Sequence, residues 1–394
     1  MAIDYAGSRR TGVRRRRSEL AEATSLVRRL DLVLLGAVGA LVAYGLWAIA
    51  GITQNDVAGD SNLFVVRQGV YVGIGALGLA GAVLVDPDLY RRYHRPIYVG
   101  TTGLMVFVFL AAPLTRGSRR WIDLGFFRFQ PSEFGKLLFV LALAGFLAQN
   151  GRRLGEVRTT LTTIGLAAVP IMLVFIQPDF GTALVYGAAL AAVLFVAGTR
   201  WTHLAALGAI ALLGALSVLW FLPSAGVHLL KPYQQDRLVG FTNRSSDPSG
   251  ATYNANQSMI AVGAGGVSGR GVQGATQTRL DYLPEHATDF VFASFAEQRG
   301  FVGAAVLLLL YLLVVWRGLR IVALARDSFT AIAAGGIVIA FLFQVFVNVG
   351  MTMGIAPITG IPLPFVSVGG SSMIANLTAI GVLLAIHGRA RARR

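Results

Sequence analysis

The chain has 394 residues, of which 55% are hydrophobic and 13% are charged, and its mean hydropathy is +0.65. Soluble domains carry about 25% charged residues, so the composition excludes a soluble domain and indicates an integral membrane protein. The absence of cysteine excludes disulfides, thiolate metal sites and cysteine nucleophiles. The formal net charge of +15 is spread over the segments between apolar runs, which favours a role in membrane orientation over nucleic-acid binding.

Apolar runs along the chain predict an all-α integral membrane protein with ten transmembrane helices. A span needs about 20 mostly apolar residues. The candidate spans are residues 31–52, 64–85, 96–114, 134–149, 161–177, 181–198, 203–222, 291–316, 330–352 and 371–388.

The distribution of arginine predicts that both termini are cytoplasmic. The N-terminal tail and the short loops on its side of the membrane carry most of the arginines, as cytoplasmic segments do. We therefore predict a disordered basic tail over 1–30, a ten-span domain over 31–388 and a second basic cytoplasmic tail over 389–394. A large extracellular loop at 223–290 then lies between spans 7 and 8.

The second predicted extracellular loop is basic, so an anionic partner or ligand is expected beside it. Arg120 suits a phosphate or carboxylate, and Trp121 suits either the membrane interface or a sugar ring. Glu133 lies in the first turn of a helix that a Pro-Ser pair is predicted to start. Lys136 follows three residues later, so the two side chains can pair, and this pair either fixes the helix or shapes a binding site.

Two further extracellular segments hold candidate binding residues. Asp179 lies in a Gln-Pro-Asp-Phe-Gly-Thr turn, where it either caps the next helix or faces a shared cavity. The long extracellular loop contributes Arg237, Gln257 and Arg279. Within this loop, the glycine-rich stretch 263–271 either forms a nest of backbone amides for phosphate or packs closely against helices.

The same loop ends in residues 283–290, where Glu285, His286 and Asp289 lie within five positions directly before an apolar span. Carboxylates at a membrane boundary are costly unless water, a cation or a substrate meets them. We therefore predict that Asp289 is the chemical centre, although an acid at this place could also cap the following helix. Glu285 is interpreted as a supporting or metal-shell residue, and His286 as an incidental surface residue.

Prolines and glycines break any helix in the fifth predicted extracellular loop, at 353–370. Irregular backbone at membrane depth must line a cavity or be buried in protein. Ser371 and Ser372 follow this loop, and they either cap the last span or donate hydrogen bonds to an anion.

Four sequence signatures occur in order along these loops. They are Arg120-Trp121 with Gln130-Pro131-Ser132-Glu133 and Lys136, Gln177-Pro178-Asp179 with Gly181-Thr182, Leu283-Pro284-Glu285 with Thr288-Asp289-Phe290, and Gly360-Ile361-Pro362-Leu363-Pro364-Phe365 with Gly369-Gly370-Ser371-Ser372. Together they resemble the shape, elongation, division and sporulation (SEDS) family of ten-span polymerases. The likeness covers about residues 30–388 and is nearer to the rod-shape member of the family than to the division member.

The resemblance implies a peptidoglycan glycosyltransferase of the bacterial cytoplasmic membrane. Such an enzyme polymerises lipid II on the outer face during cell elongation, carries the undecaprenyl pyrophosphate-linked glycan and releases undecaprenyl pyrophosphate. The resemblance also implies that Asp289 is essential and that a class B penicillin-binding transpeptidase is the partner. A divalent cation, Mg²⁺ or Mn²⁺, is expected, with no organic cofactor and no nucleic acid.

Within that chemistry we expect Asp289 to act as the general base and cations to stabilise the leaving pyrophosphate. Candidates for these cations are Arg120, Lys136, Arg237 and Arg279, together with a metal ion held by Asp179 or Glu133. We further expect Trp121 to form a platform for a sugar ring and the glycine-rich stretch to be a mobile lid.

The chain departs from the family pattern at several positions near Asp289. Ala287 stands where the family often has histidine, and Val368 replaces an aromatic residue. Gln298 and Arg299 replace the usual glutamate and leucine, so an acid is missing there and a base is added. None of these changes affects Asp289 itself.

Two other functions are compatible with a ten-span protein of this kind. A lipid II flippase would need polar groups deep in the spans, and Gln344 and Asn348 are the nearest candidates. A scaffold that recruits cell-wall enzymes without catalysis would tolerate the loss of the Asp289 carboxylate.

Overall fold

The computed structural model describes residues 30–57, 59–113, 119–125, 127–217, 221 and 251–392. The long helices are α1 (Leu32–Ile52), α2 (Leu63–Leu84), α4 (His94–Ala111), α5 (Pro131–Gln149), α6 (Val157–Ile176), α7 (Phe180–Ala197), α8 (Trp201–Leu216), α12 (Val291–Leu324), α13 (Ser328–Thr352) and α14 (Gly370–Ala392). The shorter elements are α3 (Pro87–Arg92), α9 (Ala251–Ala264), α10 (Gly271–Gly274), α11 (Thr276–Arg279), a 3-10 turn (Gly151–Arg153) and the antiparallel strands β1 (Ile122–Asp123) and β2 (Arg128–Phe129).

Each predicted span coincides with one of the long helices. Within the described residues, eight helices are long and apolar enough to cross a membrane, and α4 and α8 are not among them. Helix α14 continues to Ala392, past the predicted end of the last span at 388, so the first part of the predicted C-terminal tail is helical. The predicted N-terminal tail and much of the long loop, including Arg237, lie outside the described residues.

An ion pair joins α1 to α12 at the end of the bundle away from Asp289. Asp31 is the N-cap residue of α1 and accepts a hydrogen bond from the backbone N–H of Leu34 at 3.1 Å. Its carboxylate also accepts from the guanidinium of Arg317, with Nη2 and Oδ2 2.6 Å apart. Both side chains are buried, so removal of either one would leave an uncompensated charge inside the protein.

Helix α5 lies at the centre of the bundle and packs against α4, α7, α13 and α14. Helix α14 packs most extensively on α2. Gly381 allows this contact because a β-carbon there would lie only 2.4 Å from the carbonyl oxygen of Leu79. Small residues let membrane helices approach closely in this way. The beginning of α14 also lies beside the beginning of α5, where Ser371 accepts a hydrogen bond from the N–H of Gln130.

Helix α12 is kinked at Gly300, whose φ of 66° is in the left-handed region. The kink leaves backbone groups of α12 without partners inside the helix. The glycine-rich stretch after α9 supplies the missing partners. The N–H of Arg270 donates to the carbonyl of Glu297 at 2.9 Å, and the N–H of Phe301 donates to the carbonyl of Gly266 at 2.8 Å.

The glycine-rich stretch therefore packs against a helix, which is the second of the two alternatives that its composition allows. Gly265 lies so close to α12 that a β-carbon on it would be 2.0 Å from the carbonyl oxygen of Ala296. The expectation of a mobile lid does not fit this arrangement, because the stretch is held by backbone hydrogen bonds and direct backbone contact.

Candidate active site

A polar cavity of about 360 Å³ opens at the end of the bundle that carries Asp289. Its volume falls in the range of small-molecule sites. Eight of the predicted site residues line it, and they come from five separate parts of the chain. These residues are Arg120, Trp121, Glu133, Asp179, Glu285, Asp289, Ser371 and Ser372. Four predicted residues do not line it. Lys136, Gln257 and Arg279 are absent from the lining, and Arg237 is outside the described residues.

Asp289 lies at the end of a tight turn that runs directly into α12. Its backbone N–H donates to the carbonyl of Glu285 at 3.1 Å. Its own carbonyl accepts from the Nδ2 amide of Asn348, on α13, at 2.9 Å. Helix α12 begins after Phe290, which is its N-cap residue. The turn therefore presents Asp289 to the cavity while α13 holds its backbone.

Glu133 and Lys136 form the predicted ion pair in the first turns of α5. The Lys136 ammonium lies 2.9 Å from each Glu133 carboxylate oxygen and 3.0 Å from Oε1 of Gln344. Gln344 in turn donates from Nε2 to the carbonyl of Pro362 at 2.9 Å. All of the Lys136 donors are thus used, and this buried network joins α5, α13 and the loop before α14.

Asp179 both caps a helix and faces the cavity, so both roles that the sequence allowed for this residue are present. Its Oδ1 accepts from the backbone N–H of Thr182 at 3.0 Å, which makes it the N-cap of α7. Its Oδ2 accepts from Nε2 of Gln130 at 2.9 Å and lies 3.4 Å from Nη1 of Arg120.

Arg120 and Trp121 form one wall of the cavity. The Arg120 guanidinium carbon is 5.9 Å from the centre of the Trp121 ring, a distance at which cation and ring attract each other. The Arg120 Nε is buried and has no hydrogen-bond partner among the described residues. The guanidinium as a whole brings a positive charge to the cavity lining, where it favours an anionic ligand.

The two serines at the start of α14 serve as structural hydrogen-bonding groups. Ser371 accepts from the N–H of Gln130 and donates to the carbonyl of Arg128, both at 2.9 Å. Ser372 accepts from Nδ2 of Asn376 at 3.1 Å. The Ser371 hydroxyl proton is thus already engaged, but the amino end of α14 still faces the cavity, and such helix ends favour negative charge.

Residues 27–392 match the model of a family of cell cycle proteins that includes FtsW, RodA and SpoVE. The chain belongs to this family. The match spans all the described helices, so the cavity is a feature of a SEDS-type fold.

Several relatives cover almost the whole chain. MrdB, a peptidoglycan glycosyltransferase of Escherichia coli, is 34% identical over 358 residues, which are 91% of this chain and 93% of that protein. Stage V sporulation protein E of Bacillus subtilis is 35% identical over 362 residues, 91% of this chain and 95% of that protein.

Solved structures show the same fold. RodA of Thermus thermophilus superposes with a TM-score of 0.67 and 28% identity over 91% of this chain and 96% of that chain. A chain from a structure described as "Structural coordination of polymerization and crosslinking by a peptidoglycan synthase complex" superposes with a TM-score of 0.78 and 31% identity, covering 92% and 98%.

The carboxylates of this family member that were predicted to hold a metal ion are already engaged. Both Glu133 oxygens accept from Lys136, and the Asp179 oxygens accept from a backbone amide and a glutamine and face an arginine. Among the described residues, no three His, Asp or Glu side chains are close enough to hold a metal. Glu133 and Asp179 therefore do not fit a divalent cation. That the protein needs such a cation stays a prediction, and other residues would have to bind it.

The sequence signals did not identify three residues that organise the site. Gln344 and Asn348 lie one helical turn apart in an otherwise apolar helix, a pattern that marks functional positions in membrane proteins, yet we connected them only with transport. Glu297 is fully buried and accepts from the backbone N–H groups of Gln277 and Thr278 at 2.9 and 3.1 Å. It therefore holds the short helix α11, which leads into the turn before Asp289.

His286 is buried rather than an incidental surface residue. Its Nε2 lies 3.1 Å from Oδ1 of Asp56, and its Nδ1 lies 3.2 Å from the carbonyl oxygen of Leu283. Burial by itself would lower the pKa of His286. The hydrogen bond to Asp56 and the negative charges of Asp56 and Asp281 outweigh this effect and raise the pKa above its usual value.

Proposed function

We infer that this chain is a peptidoglycan glycosyltransferase. One observation carries the inference: a polar cavity at the end of an apolar bundle brings Asp289 together with Arg120 and the amino end of α14. The site thus combines a carboxylate that can accept a proton with groups that favour an anion. Relatives that align along almost the whole chain carry the name peptidoglycan glycosyltransferase.

We propose that the substrate is lipid II and that the cavity opens on the outer face of the bacterial cytoplasmic membrane. All ten long helices would cross the membrane, with both termini on the cytoplasmic side. The arginine-rich short loops support this orientation, and an apolar bundle around a polar cavity would keep the polyprenyl tails in lipid while the sugars react in water.

In the proposed reaction, a hydroxyl of one disaccharide attacks the anomeric carbon of another that is linked to undecaprenyl pyrophosphate. The Asp289 carboxylate accepts the hydroxyl proton, and general base catalysis of this kind contributes about 10²–10⁴-fold. The bond between the anomeric carbon and the pyrophosphate oxygen breaks, and the pyrophosphate leaves with the electron pair. Direct displacement converts an α-linked pyrophosphate into a β-glycosidic bond.

Arg120 would stabilise the leaving pyrophosphate together with the amino end of α14. Its place in the cavity lining supports this role, because the guanidinium matches the geometry of a phosphate. The Glu133–Lys136–Gln344 network would act on the reaction indirectly. Through Gln344 it holds the loop before α14. Asn348, one helical turn further along α13, holds the backbone of Asp289 and the same loop.

Asp289→Asn tests the proposed base, because asparagine has nearly the same shape but cannot accept the proton. We expect lipid II polymerisation by the purified protein to fall by about 10²–10⁴-fold, with unchanged lipid II binding. Asp281→Asn is the matched control, since Asp281 is an exposed acid in the same segment and should retain full activity. Polymerisation by Asp289→Asn at the wild-type rate would show that another group is the base.

The flippase alternative depended on Gln344 and Asn348 as deep polar groups. Both side chains bind the loop before α14, with Asn348 donating to the carbonyl of Ile361 at 2.7 Å. Lipid II supplied only on the outer face of liposomes would be polymerised by a glycosyltransferase and left unchanged by a flippase or a scaffold.

We further propose a class B penicillin-binding transpeptidase as the partner and cell elongation as the process served. The likeness to a chain of a peptidoglycan synthase complex supports a partner of this kind. Co-purification of the two membrane proteins, and the shape of cells depleted of this chain, would test these assignments.

A further inference from the structure

Helices α1 and α12 carry a stacked arginine–tryptophan pair outside the cavity. The guanidinium carbon of Arg299 lies 3.7 Å from the centre of the Trp47 ring. Tyr44 and Phe295 pack against the same ring, with centroid distances from Trp47 of 5.4 and 6.4 Å. This aromatic cluster holds the guanidinium in one orientation, which a flexible surface arginine would not have.

The positive charge of Arg299 has no counter-charge in the described part of the chain. No carboxylate there lies within ion-pair distance of Arg299, and the buried Arg299 Nε has no hydrogen-bond partner. The nearby acid, Glu297, accepts three hydrogen bonds from the Gln277–Thr278 segment and forms no ion pair with Arg299. An unpaired arginine against membrane lipid is costly, so an anion from outside the protein is expected to meet it.

The surroundings of the pair identify the source of that anion. Trp47 is 45% exposed, and Phe301, two residues after Arg299, is 70% exposed. Gln298 donates from Nε2 to the carbonyl of Gly51 at 3.1 Å, which sets this part of α12 level with the end of α1. Tryptophan and arginine at the end of a membrane helix lie at the depth of lipid headgroups, with exposed apolar side chains beside the acyl chains.

We propose that Trp47 and Arg299 form a binding site for the phosphate of an anionic phospholipid of the surrounding bilayer. The planar guanidinium matches the geometry of a phosphate, and the Trp47 ring fixes its position. A bilayer lipid is favoured over the polyprenyl substrate because neither residue lines the 360 Å³ cavity and because the flanking side chains are exposed. The site does not depend on the proposed catalytic activity.

Quenching of Trp47 fluorescence by brominated lipids tests this site directly. The full chain is reconstituted in vesicles with brominated phosphatidylglycerol or brominated phosphatidylcholine, and the Trp47 signal is taken as the difference between wild type and Trp47→Phe. We expect about fivefold preference for phosphatidylglycerol at Trp47, the effect of one basic residue near an anionic surface. This preference should disappear in Arg299→Gln and in Arg299→Leu, and should be partly retained in Arg299→Lys.

Trp316 provides a matched control on the same helix. It also lies beside an arginine, with 5.5 Å between its ring centre and the Arg317 guanidinium, but that guanidinium is already paired with Asp31. Arg299→Gln should therefore leave the quenching of Trp316, measured against Trp316→Phe, unchanged.

Two results would overturn the proposal. The first is an equal lipid preference at Trp47 in wild type and in both neutral variants, with the folded state of each confirmed by thermal unfolding. The second is displacement of the brominated phosphatidylglycerol by undecaprenyl phosphate at lower concentration than by unlabelled phosphatidylglycerol, which would assign the site to the polyprenyl ligand.

Discussion

The buried Glu133–Lys136 pair shows how a single side chain can control both the stability of the fold and the shape of the cavity. Both residues are buried, and Lys136 also holds Gln344 of α13. Removing one member of a buried ion pair leaves the other charge unpaired, which costs about 3–5 kcal/mol. The stability effect and the effect on activity can therefore be separated only by removing both charges.

We predict that Lys136→Met lowers the free energy of unfolding by about 3–5 kcal/mol and abolishes polymerisation. The double variant Glu133→Gln/Lys136→Met should recover much of the stability, because no charge remains buried, but not the activity. Thermal unfolding in detergent and lipid II polymerisation measure the two effects. Recovery of full activity in the double variant would show that the pair serves only the fold.

His286 links the segment of Asp289 to the segment after α1 through Asp56, 230 positions earlier. Because the folded-state pKa of His286 is raised, the protonated form is favoured by folding. This contribution to stability is fully present below the usual pKa of about 6.5 and is lost as the pH rises through the raised value.

We predict that His286→Gln is less stable than wild type, with a difference in melting temperature that is largest below about pH 6.5. The difference should shrink as the pH rises through the raised pKa of His286. Melting curves of both proteins over a pH series measure this. A difference that stays constant over the series would mean that the contact with Asp56 does not depend on the His286 charge.

At the scale of the elements, the kink of α12 and the glycine-rich stretch form one structural unit. Each supplies the backbone hydrogen-bonding groups that the other lacks. Glu297 adds its side chain and holds α11 against the same region. The turn with Asp289 therefore lies between two segments that are each bound to α12.

Two glycines separated by one residue allow a matched test of this packing. Gly265→Ala places a β-carbon 2.0 Å from the carbonyl oxygen of Ala296, whereas a β-carbon on Gly263 has nothing within 4 Å. We predict that Gly265→Ala destabilises the protein by about 1–3 kcal/mol and lowers polymerisation. Gly263→Ala, inside α9, should be neutral or stabilising by up to about 1 kcal/mol.

Thermal unfolding and lipid II polymerisation, measured for the two alanine variants, test this prediction. Equal behaviour of Gly265→Ala and Gly263→Ala would mean that the close contact with α12 is not required. Loss of activity in Gly265→Ala without loss of stability would instead indicate that the contact sets the position of the Asp289 turn.

At the scale of the whole molecule, the proposed orientation has a direct consequence for chemical labelling. The chain has no cysteine of its own, so a single introduced cysteine reports on one position. The Asp281 side chain is 85% exposed before α12, and Arg320 is exposed near the opposite end of that helix. A membrane-impermeant maleimide added to intact cells should label Asp281→Cys and leave Arg320→Cys unlabelled until the cells are lysed.

The reverse labelling pattern would place the cavity on the cytoplasmic side and would contradict polymerisation on the outer face. Labelling of both positions in intact cells would mean that α12 does not cross the membrane. A cell-permeable maleimide, which should label both variants, controls for the reactivity of each introduced cysteine.

Much of the fold followed from local sequence. The apolar runs predicted the long helices to within a few residues at most ends, and the main difference is at α12 and α14, which continue beyond the predicted spans. Most predicted site residues line one cavity because four motifs had marked them. Gln257 and Arg279 do not line the cavity. The long loop contains many polar residues, and the local sequence pattern does not indicate which of them face the cavity.

What the sequence determined by itself depends on residues a few positions apart. The helix-forming runs, the Asp179 cap on Thr182 and the Glu133–Lys136 pair are all local interactions. Tertiary structure alone decided the partners that are distant in the chain. Gln344 meets Lys136 across 208 positions, His286 meets Asp56 across 230, and Arg299 stacks on Trp47 from a different helix. Such contacts depend on how helices pack, and no local pattern of polar and apolar residues encodes that packing.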